Sequence, residues 1–216
     1  MATLPQTVTA LESVAGRDHA TLTQYGRIIR EAGLLPRGKR GAGAPQMTPE
    51  NIAILMLGMY FSDTPKDAAL TAERLRAYKL VNVEGSEDFA AAFAGLGECQ
   101  HFGEALATLI ASQPDLVTTF EGYIETAYAG YSATAIAALK ADLHSVVSLS
   151  VAVNGINAEI ECHVDRVRQW KASYSMDLTK WAAGEYGFAA SDRRVSASFG
   201  LRSLQVAYQC SKGEAF

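Results

Sequence analysis

The residues of this chain best suited to chemistry are six cations near its amino end. Arg17, Arg27, Arg30, Arg37, Lys39 and Arg40 face only Glu12, Asp18 and Glu31 within residues 1–46, a local charge of +3. Residues 47–145 carry −8 and residues 146–216 carry +1, within an overall charge of −4. A basic head on an acidic body steers a polyanion toward one end of a molecule. The run Gly33-Leu-Leu-Pro-Arg-Gly-Lys-Arg40 has the phosphate-binding-loop spacing G-x-x-x-x-G-K except at its last position. Arg40 stands there, where a Ser or Thr hydroxyl would hold magnesium. Such a loop also follows a strand, whereas here a helical pattern comes first. Arg37, Lys39 and Arg40 alternate with Gly38, Gly41 and Gly43, which suits a flexible basic loop able to approach a phosphate backbone closely.

Other chemistry has less to stand on. Cys99, Cys162 and Cys210 are odd in number and widely spaced, which fits reduced thiols rather than a disulfide framework. His19, His101, His144 and His163 are scattered. Cys99-x-His101 and Cys162-His163 have no second pair at zinc spacing. There is no G-x-S-x-G elbow and no cysteine with a persuasive histidine partner. The carboxylates of the middle are spread evenly, as on solvated helix faces. The expectation is a protein that is not an enzyme and takes no metal or cofactor.

Periodicity shows which elements would position the cations. Val8, Leu11, Val14 and Ala15 form the stripe of a short first helix ending at Gly16, a residue suited to a left-handed C-cap. Asp18 can cap the next helix, expected over about 19–32, with Leu22, Tyr25, Ile29 and Ala32 on its buried face. Its outward face would carry Thr21, Gln24, Arg27, Ile28, Arg30 and Glu31. Thr48-Pro49-Glu50 opens a further helix by hydroxyl cap, proline and first-turn acid. That helix is apolar nearly all round, as expected of the centre of a bundle. More helices are expected from Thr64-Pro65 to about Tyr78, and near 86–95, 102–112, 115–129 and 133–144. The period then changes to two. Val147, Leu149, Val151 and Val153, then Ile156, Ala158, Ile160, Cys162 and Val164, alternate with mostly polar residues around Asn154-Gly155, a strong hairpin signal. The register expected is Val153 with Ile156, Val151 with Ala158, Leu149 with Ile160 and Val147 with Cys162. Residues 194–199 could add a strand and Leu201, Leu204, Ala207 and Tyr208 a closing helix.

The segment Arg27-Ile-Ile-Arg-Glu-Ala-Gly-Leu-Leu-Pro-Arg-Gly-Lys-Arg-Gly-Ala-Gly43 resembles the recognition helix and wing of winged helix-turn-helix proteins. Its continuation into Gly-Ala-Pro-Gln-Met-Thr-Pro is similar to prophage-type proteins of alphaproteobacteria. The resemblance covers about 40 residues, and the loop has few strand-forming residues for a true two-stranded wing. It implies that Thr21, Gln24 and Arg27 face the major groove, with Arg30 on the same exposed side. It also implies that Arg37, Lys39 and Arg40 meet the backbone or an adjacent minor groove, and that Arg17 at the turn touches phosphate.

The fold class expected is therefore α+β, mainly α. A winged-helix-like DNA-binding domain would occupy 1–46, a helical domain 47–144, and a small α+β region 145–216, with its hairpin over 145–164. The function expected is double-stranded DNA binding by a phage- or prophage-related transcriptional regulator. The alternatives are a small-terminase-like packaging protein and a phage protein that inhibits a host protein through its acidic face. One small module binds weakly, so a homo-oligomer is expected, with the helical middle or the hairpin as its contact or as a site for a protein partner. No apolar run reaches the roughly 18–20 residues that span a bilayer, and no basic start precedes an apolar run as in a secretory leader. A cytoplasmic protein without membrane contact is the expectation.

Overall fold

The computed structural model describes residues 2–38, 43–179, 183 and 196–213. The fold is mixed α+β. The order runs α1 (Leu4–Ala15), α2 (His19–Glu31), α3 (Pro49–Phe61), α4 (Ala68–Arg76), β1 (Lys79–Gly85), α5 (Glu87–Gly97), α6 (Phe102–Ala111), α7 (Gln113–Ala127) and α8 (Ala133–Ala141). It continues with β2 (Val147–Asn154), β3 (Asn157–Val164), β4 (Val167–Ser175), β5 (Ser196–Gly200) and α9 (Leu201–Lys212). The strands form one antiparallel sheet in the order β1-β4-β3-β2-β5.

Local chemistry explains the helix ends. The Thr48 hydroxyl accepts from the Asn51 amide, and the Asn51 side chain accepts from the Thr48 amide. With Pro49 in the first turn, this starts α3 where the cap signal places it. Helix α1 begins earlier than its apolar stripe suggests, because the Gln6 side chain accepts from the Thr3 amide at 2.8 Å and satisfies an N-terminal donor.

The sheet has one buried and one polar face. Val147, Leu149, Val151, Val153, Ala158, Ile160, Cys162, Val164, Trp170, Ala172 and Tyr174 are all buried. Helices cover that side: Phe93 of α5 stacks on Trp170 with ring centres 4.7 Å apart, and Phe102 of α6 lies 5.4 Å from Tyr174. On the other face Lys171 bridges Glu159 and Glu161 at 2.7 and 3.1 Å, and Arg168 pairs with Glu84 at 2.9 Å. This is the in-and-out alternation of an antiparallel sheet with one solvated side.

Three features differ from the sequence expectation. First, Asn154 pairs with Asn157, Val153 with Ala158, Val151 with Ile160, Leu149 with Cys162 and Val147 with Val164. The turn residues are Gly155 and Ile156, not Asn154 and Gly155. Gly155 alone of these has a positive φ, +62°, the pattern of a turn that demands left-handed backbone only at its first central residue. A shift of two residues leaves the strand side chains on their expected faces, but Ile156, expected inward opposite Val153, stands exposed in the turn. Second, β1 and β4 are strands the periodicity did not mark. Trp170, Ala172 and Tyr174 alternate inward, but β4 follows a turn of Asp165 and Arg166, both at positive φ without a glycine. Third, the boundaries expected at 46/47 and 144/145 do not separate cores. One cluster of buried side chains runs from Ala2 to Cys210. Ala2 donates to the Cys210 carbonyl at 2.7 Å, Met47 donates to the Ala2 carbonyl at 2.8 Å, and α1 packs on α9 as well as α2.

Candidate nucleic-acid interface

Helix α2 is amphipathic in the sense its sequence implies, except that Ala32, expected on the buried face, is its exposed C-cap. Leu22, Tyr25 and Ile29 are fully buried, while Thr23, Gln24, Arg27, Arg30 and Glu31 are exposed. Residues 16–18 join α1 to α2, with Gly16 left-handed at φ +63°. A short glycine-containing turn thus joins two packed helices. Gly26 keeps the pair close, since a Cβ there would lie 3.3 Å from the Leu4 side chain. Helix α3 closes the group from behind, with Ile29 directly against Gly58.

The expected site residues take different places. Arg17 turns inward and is partly buried. It donates to the Tyr25 hydroxyl at 2.6 Å and to the Ser62 carbonyl at 3.0 Å, while Tyr25 donates to the same carbonyl at 3.0 Å. A phosphate would have to displace two charge-assisted bonds, so Arg17 ties the turn to the end of α3. Thr21 is half-buried and its hydroxyl donates to Asp18 at 2.7 Å. That bond and the Thr21 amide hold the Asp18 carboxyl below its usual range, so the start of α2 carries a settled negative charge.

Gln24, Arg27 and Arg30 lie on the outward face. Arg27 is bonded to Glu31 one turn along at 2.7 Å, with both side chains more than half exposed. An exposed pair of this kind is weak and yields to a competing phosphate. Arg37 reaches back to the end of α2 and donates to the Glu31 carbonyl at 2.6 Å. Lys39 and Arg40 lie outside the described residues. Sequence reasoning passed over Thr23, whose signal was its i, i+4, i+7 spacing with Arg27 and Arg30.

These placements divide the helix by charge. Glu12 and Asp18 sit at its amino end, where His19 is occupied by Glu12 at 3.1 Å. Arg27, Arg30 and Arg37 gather at its carboxyl end, where the helix dipole favours cations. The described flanks of the basic loop do not pair as a wing. Gln46 bridges to Thr3 instead, and Gly38 abuts the Pro45 ring so closely that a Cβ would come within 2.6 Å of it. Elsewhere, no group of three or more His, Cys, Asp or Glu side chains among the described residues is placed to hold a metal ion. Nor is any described helix long and apolar enough to cross a membrane.

No protein-family model, curated protein or solved structure matches the chain. The geometry of α2 therefore carries the functional reading.

Proposed function

We propose that this chain binds double-stranded DNA through the outward face of α2. One observation carries the reading. A helix anchored by three fully buried side chains, Leu22, Tyr25 and Ile29, turns Gln24, Arg27 and Arg30 to solvent on a chain that is otherwise acidic. Arg27 and Arg30 have the length and charge to neutralise phosphates. Gln24, one turn before Arg27, has the paired donor and acceptor that match an adenine edge in the major groove. The acidic amino end of α2 favours entry by the middle and carboxyl half of the helix rather than by its first turn.

Transcriptional regulation by a phage- or prophage-type protein is the role suggested by the resemblance of Arg27–Gly43. Two or three phosphate contacts give weak binding, so such a regulator acts as a homo-oligomer that presents several copies of α2.

Fluorescence anisotropy with a labelled duplex, titrated from 25 to 200 mM salt, tests the proposal. The wild type should bind with a strong inverse salt dependence. Arg27→Ala with Arg30→Ala should weaken binding and reduce the log–log salt slope by about 1.8, roughly 0.9 for each phosphate no longer neutralised. Equal affinities of wild type and double variant at low salt would defeat the proposal.

A further inference from the structure

We infer that Arg37 is a positioning residue for the α2 interface rather than a phosphate ligand; the inference rests on the DNA-binding reading above. A helix leaves its last carbonyls without intrahelical donors. Here the Ala32 amide donates to the Ile28 carbonyl, the Gly33 amide to Arg30 at 3.0 Å, and the Leu34 amide to Ile29 at 3.2 Å. With Gly33 left-handed at φ +83°, these are the paired bonds of a Schellman cap. The Glu31 carbonyl is left over, and the Arg37 guanidinium takes it at 2.6 Å through Nη2. Its Nε lies 3.5 Å from the Arg30 carbonyl.

The side chain reaches those carbonyls because the left-handed Gly33 ends the helix and turns the chain back along it. The Arg37 guanidinium then lies alongside Gly33, 4.0 Å from where a Cβ would stand, an ordinary contact distance. Pro36 and the Gly38–Pro45 contact fix the chain on either side of Arg37. A guanidinium spanning two successive carbonyls holds the last turn of α2 rigid, and that turn carries Arg30, with Arg27 one turn before it. Arg37 thus steadies the turn from which Arg30 leaves the helix, with its Nε and Nη2, two of the three guanidinium nitrogens, turned to the cap.

The test uses the full chain with Arg37→Ala, Arg37→Lys and Arg30→Ala. Hydrogen exchange without DNA reports the clamp. Protection of the Ala32, Gly33 and Leu34 amides should fall on the order of fivefold in Arg37→Ala, the factor one net hydrogen bond is worth. Arg37→Lys, able to reach a single carbonyl, should recover part of it. In the DNA titration Arg37→Ala should lose a similar factor in affinity with an unchanged salt slope, whereas Arg30→Ala should lower the slope by about 0.9. Unchanged exchange together with a lowered slope in Arg37→Ala would make Arg37 a phosphate ligand and overturn the inference. Failure of the wild type to bind DNA would overturn the interface and the positioning role together, with the exchange data still separating the clamp from the DNA reading.

Discussion

Arg17 and Arg27 show how far apart two arginines of one small head can be in use. Both were legible in the sequence as cations near a turn and a helix. Only Arg27 is paired with an exposed, exchangeable partner, whereas Arg17 fills the junction between Tyr25 and the end of α3. The buried thiols give a residue-scale prediction with a definite sign. Burial pushes Cys162 from an ordinary 9.0 up to about 12, and pushes Cys210 up to about 11. In the unfolded chain both thiols ionise from about pH 9, while in the folded chain they stay protonated. Above pH 9 the unfolded state therefore binds fewer protons, and stability falls as pH rises. Each such thiol contributes a slope of about 1.4 kcal/mol per pH unit until its folded value is reached. Urea midpoints at pH 8, 9 and 10 under reducing conditions should drop progressively in the wild type, and less steeply in Cys162→Ala. Parallel pH dependences for the two proteins would show that Cys162 ionises as freely folded as unfolded.

At the scale of the element, the β2–β3 hairpin separates what a local signal can say from what pairing decides. Asn-Gly between two alternating runs identifies a hairpin in this chain, and the alternation assigns the paired side chains to their faces, with Ile156 in the turn as the exception. Which two residues form the loop depends on where the strands settle against β4, β5 and the helices beneath them. In the observed register Asn154 is an ordinary strand residue paired with Asn157, and Gly155 carries the only left-handed backbone of the turn. Asn154→Thr should therefore leave stability within about 0.5 kcal/mol or raise it slightly. Gly155→Ala should cost about 1 kcal/mol for forcing a Cβ into left-handed backbone. Thermal melts of the two variants decide the matter. A large loss for Asn154→Thr would mean that the loop has moved to Asn154-Gly155. Strand β4 escaped notice for a related reason. Its inward residues Trp170, Ala172 and Tyr174 alternate properly, but it follows Asp165-Arg166, a two-residue turn with both φ angles positive and no glycine to signal it. Tyr123 and Tyr128 both donate to the Asp165 carboxylate and hold that turn on α7.

At the scale of the whole molecule, the head is fused to the body. Residues 2 and 3 lie between Gln46-Met47 and the Cys210 carbonyl, α1 packs on α9, and Tyr60 of α3 bonds to both the Val14 carbonyl and Ser203. Helix α2 is aimed by this arrangement rather than carried on a hinge. Residues 1–62 made as a separate fragment should therefore lack a cooperative melt, because α1 and α3 would expose faces that α9, α6 and the sheet now cover. Circular dichroism of the fragment checks this, and a cooperatively folding, helical fragment would show that the head is an independent domain.

Within each segment, the chain's own residues determined most of the elements. Caps, left-handed glycines and the two periodicities act over a few neighbours, so Thr48-Pro49, Gly16 and the β2 and β3 alternation could be read directly. The outward face of α2 was legible for the same reason, since a helix fixes which residues share a side. Tertiary structure alone decided the inward turn of Arg17, the hairpin register, the presence of β1 and β4, and the continuity of the core from Ala2 to Cys210. Those outcomes depend on contacts between residues far apart in the chain, such as Arg17 with Ser62 or Ala2 with Cys210, and no local pattern carries information about them.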